Sequence, residues 1–182
     1  MEFEIYFRPL KLDDAEFINN MRQNTEMENL IAGNKRFVSL EKDKKWLENI
    51  ILSDDPCFEF FAINQKETDT IIGYASIADI DYRNGKCVWS GLKIDTPFSK
   101  KGFGFQSTLL LIKHVFEQLR IERFHAECLE EHEASLKMML KAGFVKEGLL
   151  RHGAYKDNRF QNIYLLSMLR QEYDITKSKY EL

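Results

Sequence analysis

The passage from Leu92 to Leu119 constrains the fold of this chain most. Val88-Trp89-Ser90-Gly91-Leu92-Lys93-Ile94 has strand character, and Phe105, Leu109, Ile112, Phe116 and Leu119 recur at helical steps on one face. Between the two, Asp95-Thr96-Pro97 ends the strand, because proline cannot continue a ladder. Ser99-Lys100-Lys101-Gly102-Phe103-Gly104 then leads into the helix. Two conformationally permissive glycines and two cations therefore meet where a helix N-terminus presents free N–H groups. Such a place suits an anion, phosphate above all. The same residues also suit a plain strand-to-helix connection with solvated lysines, so the rest of the chain has to decide.

Before this passage, Phe3–Leu10 reads as a strand, Asp13-Asp14 prepares a helix through about Met21, and Ser39 caps a second helix over Glu41–Leu52. Gln23–Phe37 is polar and weakly periodic, with Gly33 and Asn34 as turn signals, and is expected as a mobile loop or short helix. Phe58–Ile63 and Ile71–Ile80 are strands, and Asn84-Gly85 signals a hairpin into the strand that restarts near Cys87. After the long helix come a strand at Arg123–Leu129 and a helix at Ala134–Lys141 that Gly143 stops. Two last strands, Phe144–Ala154 and Phe160–Leu169, flank a turn at Lys156-Asp157-Asn158-Arg159. This order predicts one α/β (α+β) domain over residues 1–172, with a mixed, mostly antiparallel sheet of about seven strands and about four helices. Residues 173–182 are expected as a C-terminal tail.

A chain of 182 residues can bury a sizeable core without staples. Its net charge of -3 offers no basic excess to displace counterions, so nucleic acid is not an expected partner. No run approaches the length of a membrane span, and Met1-Glu2-Phe3-Glu4 lacks signal-peptide character, so no membrane is expected and the cytoplasm is the default location. Cys57, Cys87 and Cys128 are odd in number, widely spaced and in apolar contexts, which favours reduced thiols over bridges. His114, His125, His132 and His152 show no ligand spacing, and no metal is expected.

Gly102-x-Gly104-x-x-Ser107 nearly matches a dinucleotide fingerprint, with Glu127 downstream, but that fingerprint runs directly from strand to first glycine. Here seven residues, Pro97 among them, intervene, and antiparallel strands precede the turn. A P-loop lysine is also missing. In element order and in Ser99-Lys100-Lys101-Gly102-Phe103-Gly104, the chain resembles the GCN5-related N-acetyltransferase superfamily, whose signature there is [Q/R]-x-x-G-x-[G/A]. The likeness extends to Arg8-Pro9-Leu10, to His132-Glu133-Ala134-Ser135 leading into Lys141-Ala142-Gly143-Phe144, and to Glu147-Gly148 with Arg151. This set looks most like the branch that holds ribosomal-protein alanine and spermidine N-acetyltransferases.

The resemblance implies acetyl-CoA as co-substrate and direct attack on its thioester by a primary amine of a protein N-terminus, a polyamine or another small molecule. It implies a cofactor site made of Ser99 to Gly104, of His132 and Ser135, and of a main-chain N–H among Leu92, Lys93 and Ile94 that meets the carbonyl oxygen. A homodimer is an assembly open to such a chain. Ser99 replaces the usual Gln or Arg, His132 the usual Asn, and Met139 a tyrosine proposed to protonate the leaving thiolate. These departures raise a second reading, a catalytically silent acyl-CoA sensor. Asp79, Asp81 and Glu127 are candidate bases or water-relay carboxylates, and Tyr155 is a candidate acid or substrate contact. Trp89 is either core or a wall of the acceptor pocket, and Arg22, Glu26 and Glu28 lie in the segment that would choose the acceptor.

Overall fold

The computed structural model describes residues 2–33 and 37–182; Met1 and Asn34 lie outside the described residues. Seven strands form one sheet in the order β1-β2-β3-β4-β5-β7-β6. They are β1 (Ile5–Arg8), β2 (Glu59–Gln65), β3 (Ile71–Asp81), β4 (Lys86–Ile94), β5 (Arg123–Leu129), β6 (Val145–Lys156) and β7 (Arg159–Leu169). Every neighbouring pair is antiparallel except β4 and β5. The helices are α1 (Ala15–Gln23), α2 (Thr25–Asn29), α3 (Leu40–Ile51), α4 (Phe103–Glu117), α5 (Glu133–Lys141) and α6 (Arg170–Tyr180).

The parallel pair explains the shape of the molecule. The β4–β5 ladder runs only from Lys86 opposite Arg123 to Trp89 opposite Ala126. Beyond it, Gly91–Ile94 stays with β3 while Glu127–Leu129 stays with β7. A β-bulge starts the separation: Ser76 faces Gly91 and Ile77 faces Trp89, leaving Ser90 unopposed. An extra residue in one strand bends it and increases its twist. The sheet therefore opens into a gap whose two sides, Gly91–Ile94 of β4 and Glu127–Leu129 of β5, stay paired on their outer edges.

The two faces of the sheet are covered differently. On one, α4 buries Leu109, Leu111, Ile112, Val115 and Phe116 against Ile77, Trp89, Phe124 and Ala126, so Trp89 belongs to the core. Its ring stacks on Phe124 at 6.0 Å and tilts against Phe144 at 5.7 Å. On the other face, α1 and α3 cover β2 and β3 through Ala15, Ile18, Met21, Leu47, Ala62 and Tyr74. Asp43 joins these helices, accepting from Asn19 at 2.8 Å and pairing with Arg22 at 3.3 Å.

Several expectations change in detail. The segment expected as a mobile loop or short helix contains α2, capped by the Asn24 side chain. Asn84-Gly85 sits in a hairpin as expected: Asp81 pairs with Lys86 across a four-residue connection, with Asp81 accepting from Asn84 N–H at 3.0 Å. Residues 173–180 are not a frayed tail but most of α6: Tyr173 is buried and stacks on Phe116 at 4.9 Å, and Lys177 pairs with Glu117 at 2.6 Å. All three cysteines are free thiols. Among the described residues, no helix is long and apolar enough to cross a membrane.

Candidate active site

The turn before α4 forms one wall of the gap. Asp95 caps a short 3-10 turn over Thr96–Phe98, and the chain then reaches Lys100 at φ 61° and Gly102 at φ 88°. At Gly102 an added Cβ would meet open space, so glycine is required there by the left-handed backbone rather than by crowding. Gln106 N–H returns to the Gly102 carbonyl at 3.0 Å. The N–H groups of Phe103, Gly104 and Phe105 precede that first helical bond and have no partner in the helix. Ser107 and Thr108 instead donate to the carbonyls of Phe103 and Gly104, both at 2.8 Å. Met138 closes the other side, its sulfur 3.5 Å from the place of a Cβ on Gly104. This cradle offers main-chain donors and two exposed lysines to an anion.

Strand β4 supplies the second set of main-chain groups. Asp95 N–H donates to the Ile72 carbonyl at 2.8 Å, and the Lys93 carbonyl crowds the place where a Cβ on Gly73 would stand. Both contacts point toward β3. Main-chain groups alternate in direction along a strand, so Leu92 and Ile94 direct theirs into the gap. Of the three expected oxyanion donors, Lys93 is thus placed with its main chain committed to β3, and Leu92 and Ile94 are placed facing the opening.

A roof closes the gap on the face opposite α4. Lys93 stands across from Tyr74, a residue of the α1–α3 face, so its side chain points to that same face. There its ammonium pairs with Glu28 of α2 and lies 5.7 Å from the centre of the Tyr74 ring. From the far side of the gap, Lys156 at the end of β6 donates to the main-chain carbonyls of Glu28 and Gly33. His132 bonds the Leu30 main chain, Asn24 donates to Thr96 at 2.9 Å, and Ala32 packs on Leu129, Ala154 and Ile163. Residues 24–33 therefore bridge the two halves of the molecule. Burial holds the His132 ring below its ordinary pKa, with the Leu30 bond opposing that shift.

The expected proton-handling residues separate clearly. Phe124 and Ala126 face α4, so alternation sends His125 and Glu127 to the roof side. Glu127 is exposed and is the first β5 residue past the last β4–β5 pair, so it borders the gap. Asp79 and Asp81 do not. They lie at the β3–β4 hairpin end, where Asp81 pairs six residues along β4 from Leu92, a separation of about 20 Å at strand rise. Asp81 is occupied with Asn84, whose hydrogen bonds hold its carboxyl below the usual range. Their pairing register, which composition does not reveal, removes both from the site.

Tyr155 is also elsewhere. It is exposed on the β6–β7 hairpin, edge-on to Phe160 at 5.1 Å and bonded to Asn158 at 3.2 Å. Its neighbour Lys156 points to the roof, so Tyr155 points away from it. Ser99 is exposed and its N–H closes the 3-10 turn onto Thr96 at 3.1 Å. Ser135 bonds the buried Cys128 thiol, and His132 is committed to the roof rather than to the cradle. Glu28, Lys93 and Lys156 carry the roof; the sequence points to Glu28 as part of the acceptor-choosing segment and to Lys93 only for its main-chain N–H, and gives no sign of Lys156. A cavity of about 360 Å³ between α3 and β2, lined by Pro9, Leu10, Trp46 and Phe60 among others, shares no residue with the gap.

The model of the acetyltransferase (GNAT) domain family matches residues 4–145, more than three quarters of the chain and all of the gap's β4, cradle and β5. The chain belongs to this family. Among its GNAT relatives is an uncharacterized N-acetyltransferase, p20, of Bacillus licheniformis, 34% identical over 113 residues. That alignment spans 62% of this chain and 63% of the relative. A prophage-derived uncharacterized N-acetyltransferase, YokL, of Bacillus subtilis strain 168 is 24% identical over 72% of each chain. A spermidine N-acetyltransferase from Vibrio cholerae, solved with CoA and spermine, superimposes with a TM-score of 0.86 over 93% of this chain and 98% of its own. At 19% identity that likeness shows a shared GNAT fold. Within the family frame Met139 stands where a tyrosine is usual, and it is 5% exposed in the core.

Proposed function

We propose that this GNAT protein is an acetyl-CoA-dependent N-acetyltransferase that moves the acetyl group to a primary amine while both substrates are bound. One observation carries the reading. The main-chain groups of Leu92 and Ile94 are released into the same opening that the cradle at Gly102–Gly104 borders. A pyrophosphate on the cradle, with Lys100 and Lys101 beside it, would aim a thioester between β4 and β5. An N–H in the gap then meets the carbonyl oxygen, where a fixed donor contributes about 3 kcal/mol as charge develops.

Glu127 is the carboxylate placed to receive the proton, directly or through water. The amine nitrogen attacks the carbonyl carbon, the C–S bond breaks, CoA departs as thiolate and the amine proton passes to Glu127. With Met139 unable to donate, the thiolate leaves unprotonated, which a thiol of pKa about 8.5 tolerates near neutral pH. An α-amine near pKa 8 is neutral roughly a tenth of the time at pH 7, and a lysine-like amine far less often. The test is release of free CoA, followed with a thiol reagent across peptide N-termini, polyamines and simple amines. Amine-dependent release is expected, together with a melting temperature that rises with acetyl-CoA concentration. No thermal shift at millimolar acetyl-CoA and no release would remove the reading.

The buried Met139 favours a second reading, a silent acyl-CoA sensor. Tight acetyl-CoA binding with no turnover of any amine would select it.

A further inference from the structure

Glu28 and Tyr74 together have the form of a cation site, a carboxylate beside an aromatic face. In this chain an internal ammonium fills it. The Lys93 side chain is 10% exposed and that of Glu28 8%, so both charges have left water. Burying an ion pair costs several kcal/mol per ion in lost hydration, and apolar residues of similar volume usually hold a fold as well or better. Stability alone therefore does not account for the pair. Its position is more informative: Lys93 sits between the two residues whose main chains open to the gap, and its side chain runs to the roof side. A second ammonium, Lys156, is held on the same roof segment by the carbonyls of Glu28 and Gly33. Of the two carboxylates on the roof segment, Glu26 is exposed, and Glu28, the buried one, is already paired with Lys93.

We infer that Lys93 is a specificity-determining residue whose ammonium occupies the Glu28–Tyr74 cation site and so excludes acceptors that carry a second positive charge near the reacting nitrogen. A diamine whose distal ammonium is about one lysine stem, four carbons, from the transferred position would reach for the place that Lys93 holds. Monoamines have no such requirement. The inference rests on the acetyltransferase reading for its bearing on turnover, while the cation site itself stands on the fold alone.

The experiment has two arms. In the first, Lys93→Ala leaves Glu28 buried without a partner, and the protein is expected to melt at lower temperature. Butylammonium should refill the site and raise the melting temperature of Lys93→Ala. It should not raise that of the wild type or of Lys93→Ala/Glu28→Gln, and butanol should have no effect. In the second arm, the KM for spermidine, measured by CoA release, should fall about tenfold in Lys93→Ala relative to wild type, and Glu28→Gln in the same background should cancel the gain. Where Lys93→Ala does not fold, Lys93→Gln carries the spermidine arm. Absence of selective rescue by butylammonium, or an unchanged spermidine KM with intact turnover, overturns the inference. The first arm needs no catalysis, so it still tests the cation site if the acetyltransferase reading fails.

Discussion

On the α4 side of the gap, the groups offered to a ligand are main-chain N–H groups, held open by a left-handed glycine and a bulged strand. On the roof side, the structure depends on side chains drawn from α2, β3, β4 and β6 and from His132 at the start of α5. The first arrangement tolerates changes of side chain as long as backbone geometry survives, because the donors belong to every residue. The second is specific to this chain and changes with a single charge. A wall that binds a constant co-substrate can be built from backbone, whereas a wall that meets a variable acceptor has to be written in side chains.

Three variant proteins and one pH series on a fourth probe this contrast, from the largest expected effect to the smallest. Glu127→Gln should lower kcat on the order of a hundredfold or more, the usual worth of a general base, while leaving the affinity for acetyl-CoA unchanged. An unchanged kcat would move proton transfer to another group. Gly102→Val/Gly104→Val should weaken acetyl-CoA binding about a hundredfold by calorimetry, since the left-handed turn is lost and ligand positioning with it. Full affinity in that protein, with its circular dichroism retained, would place the cofactor elsewhere.

Lys156→Met should cost about 2 kcal/mol in denaturant unfolding, the scale for hydrogen bonds made by a charged donor. It should loosen the roof without touching cofactor affinity; a matching loss of acetyl-CoA binding would mean that the two sides are not separable. The smallest effect concerns His132, whose folded pKa is lowered from 6.5 mainly by burial. The unfolded chain then takes up the proton more readily, so stability is present above pH 6.5 and declines as pH falls below it. His132→Asn should flatten that decline in melting temperature between pH 7 and pH 5, and an identical slope in both proteins would detach His132 from it.

The same contrast explains what could be read in advance. All seven strands, α4 and the cradle were legible because their signals are local: alternation, helical spacing, paired glycines, a proline stop. The roof was not, because Lys93 and Glu28 are 65 residues apart and Lys156 lies 128 from Glu28. A lysine in a strand reads as solvated until its partner is known. Asp79 and Asp81 were misplaced for a related reason, since strand composition does not say which end of the strand borders the opening. Glu127 carried the same ambiguity and came out beside the gap. The C-terminal helix had a usable sign in Tyr173, Thr176 and Tyr180, spaced by three and four, which the surrounding charged residues obscured.

Amide-resolved hydrogen exchange with and without acetyl-CoA tests the central claim most directly, that main chain rather than side chain holds and polarises the co-substrate. Added protection should concentrate at the amides of Leu92 or Ile94 and of Phe103, Gly104 and Phe105, with Lys93 unchanged because its main chain already belongs to β3. Saturable acetyl-CoA binding that leaves all of those gap and cradle amides as they were would contradict it.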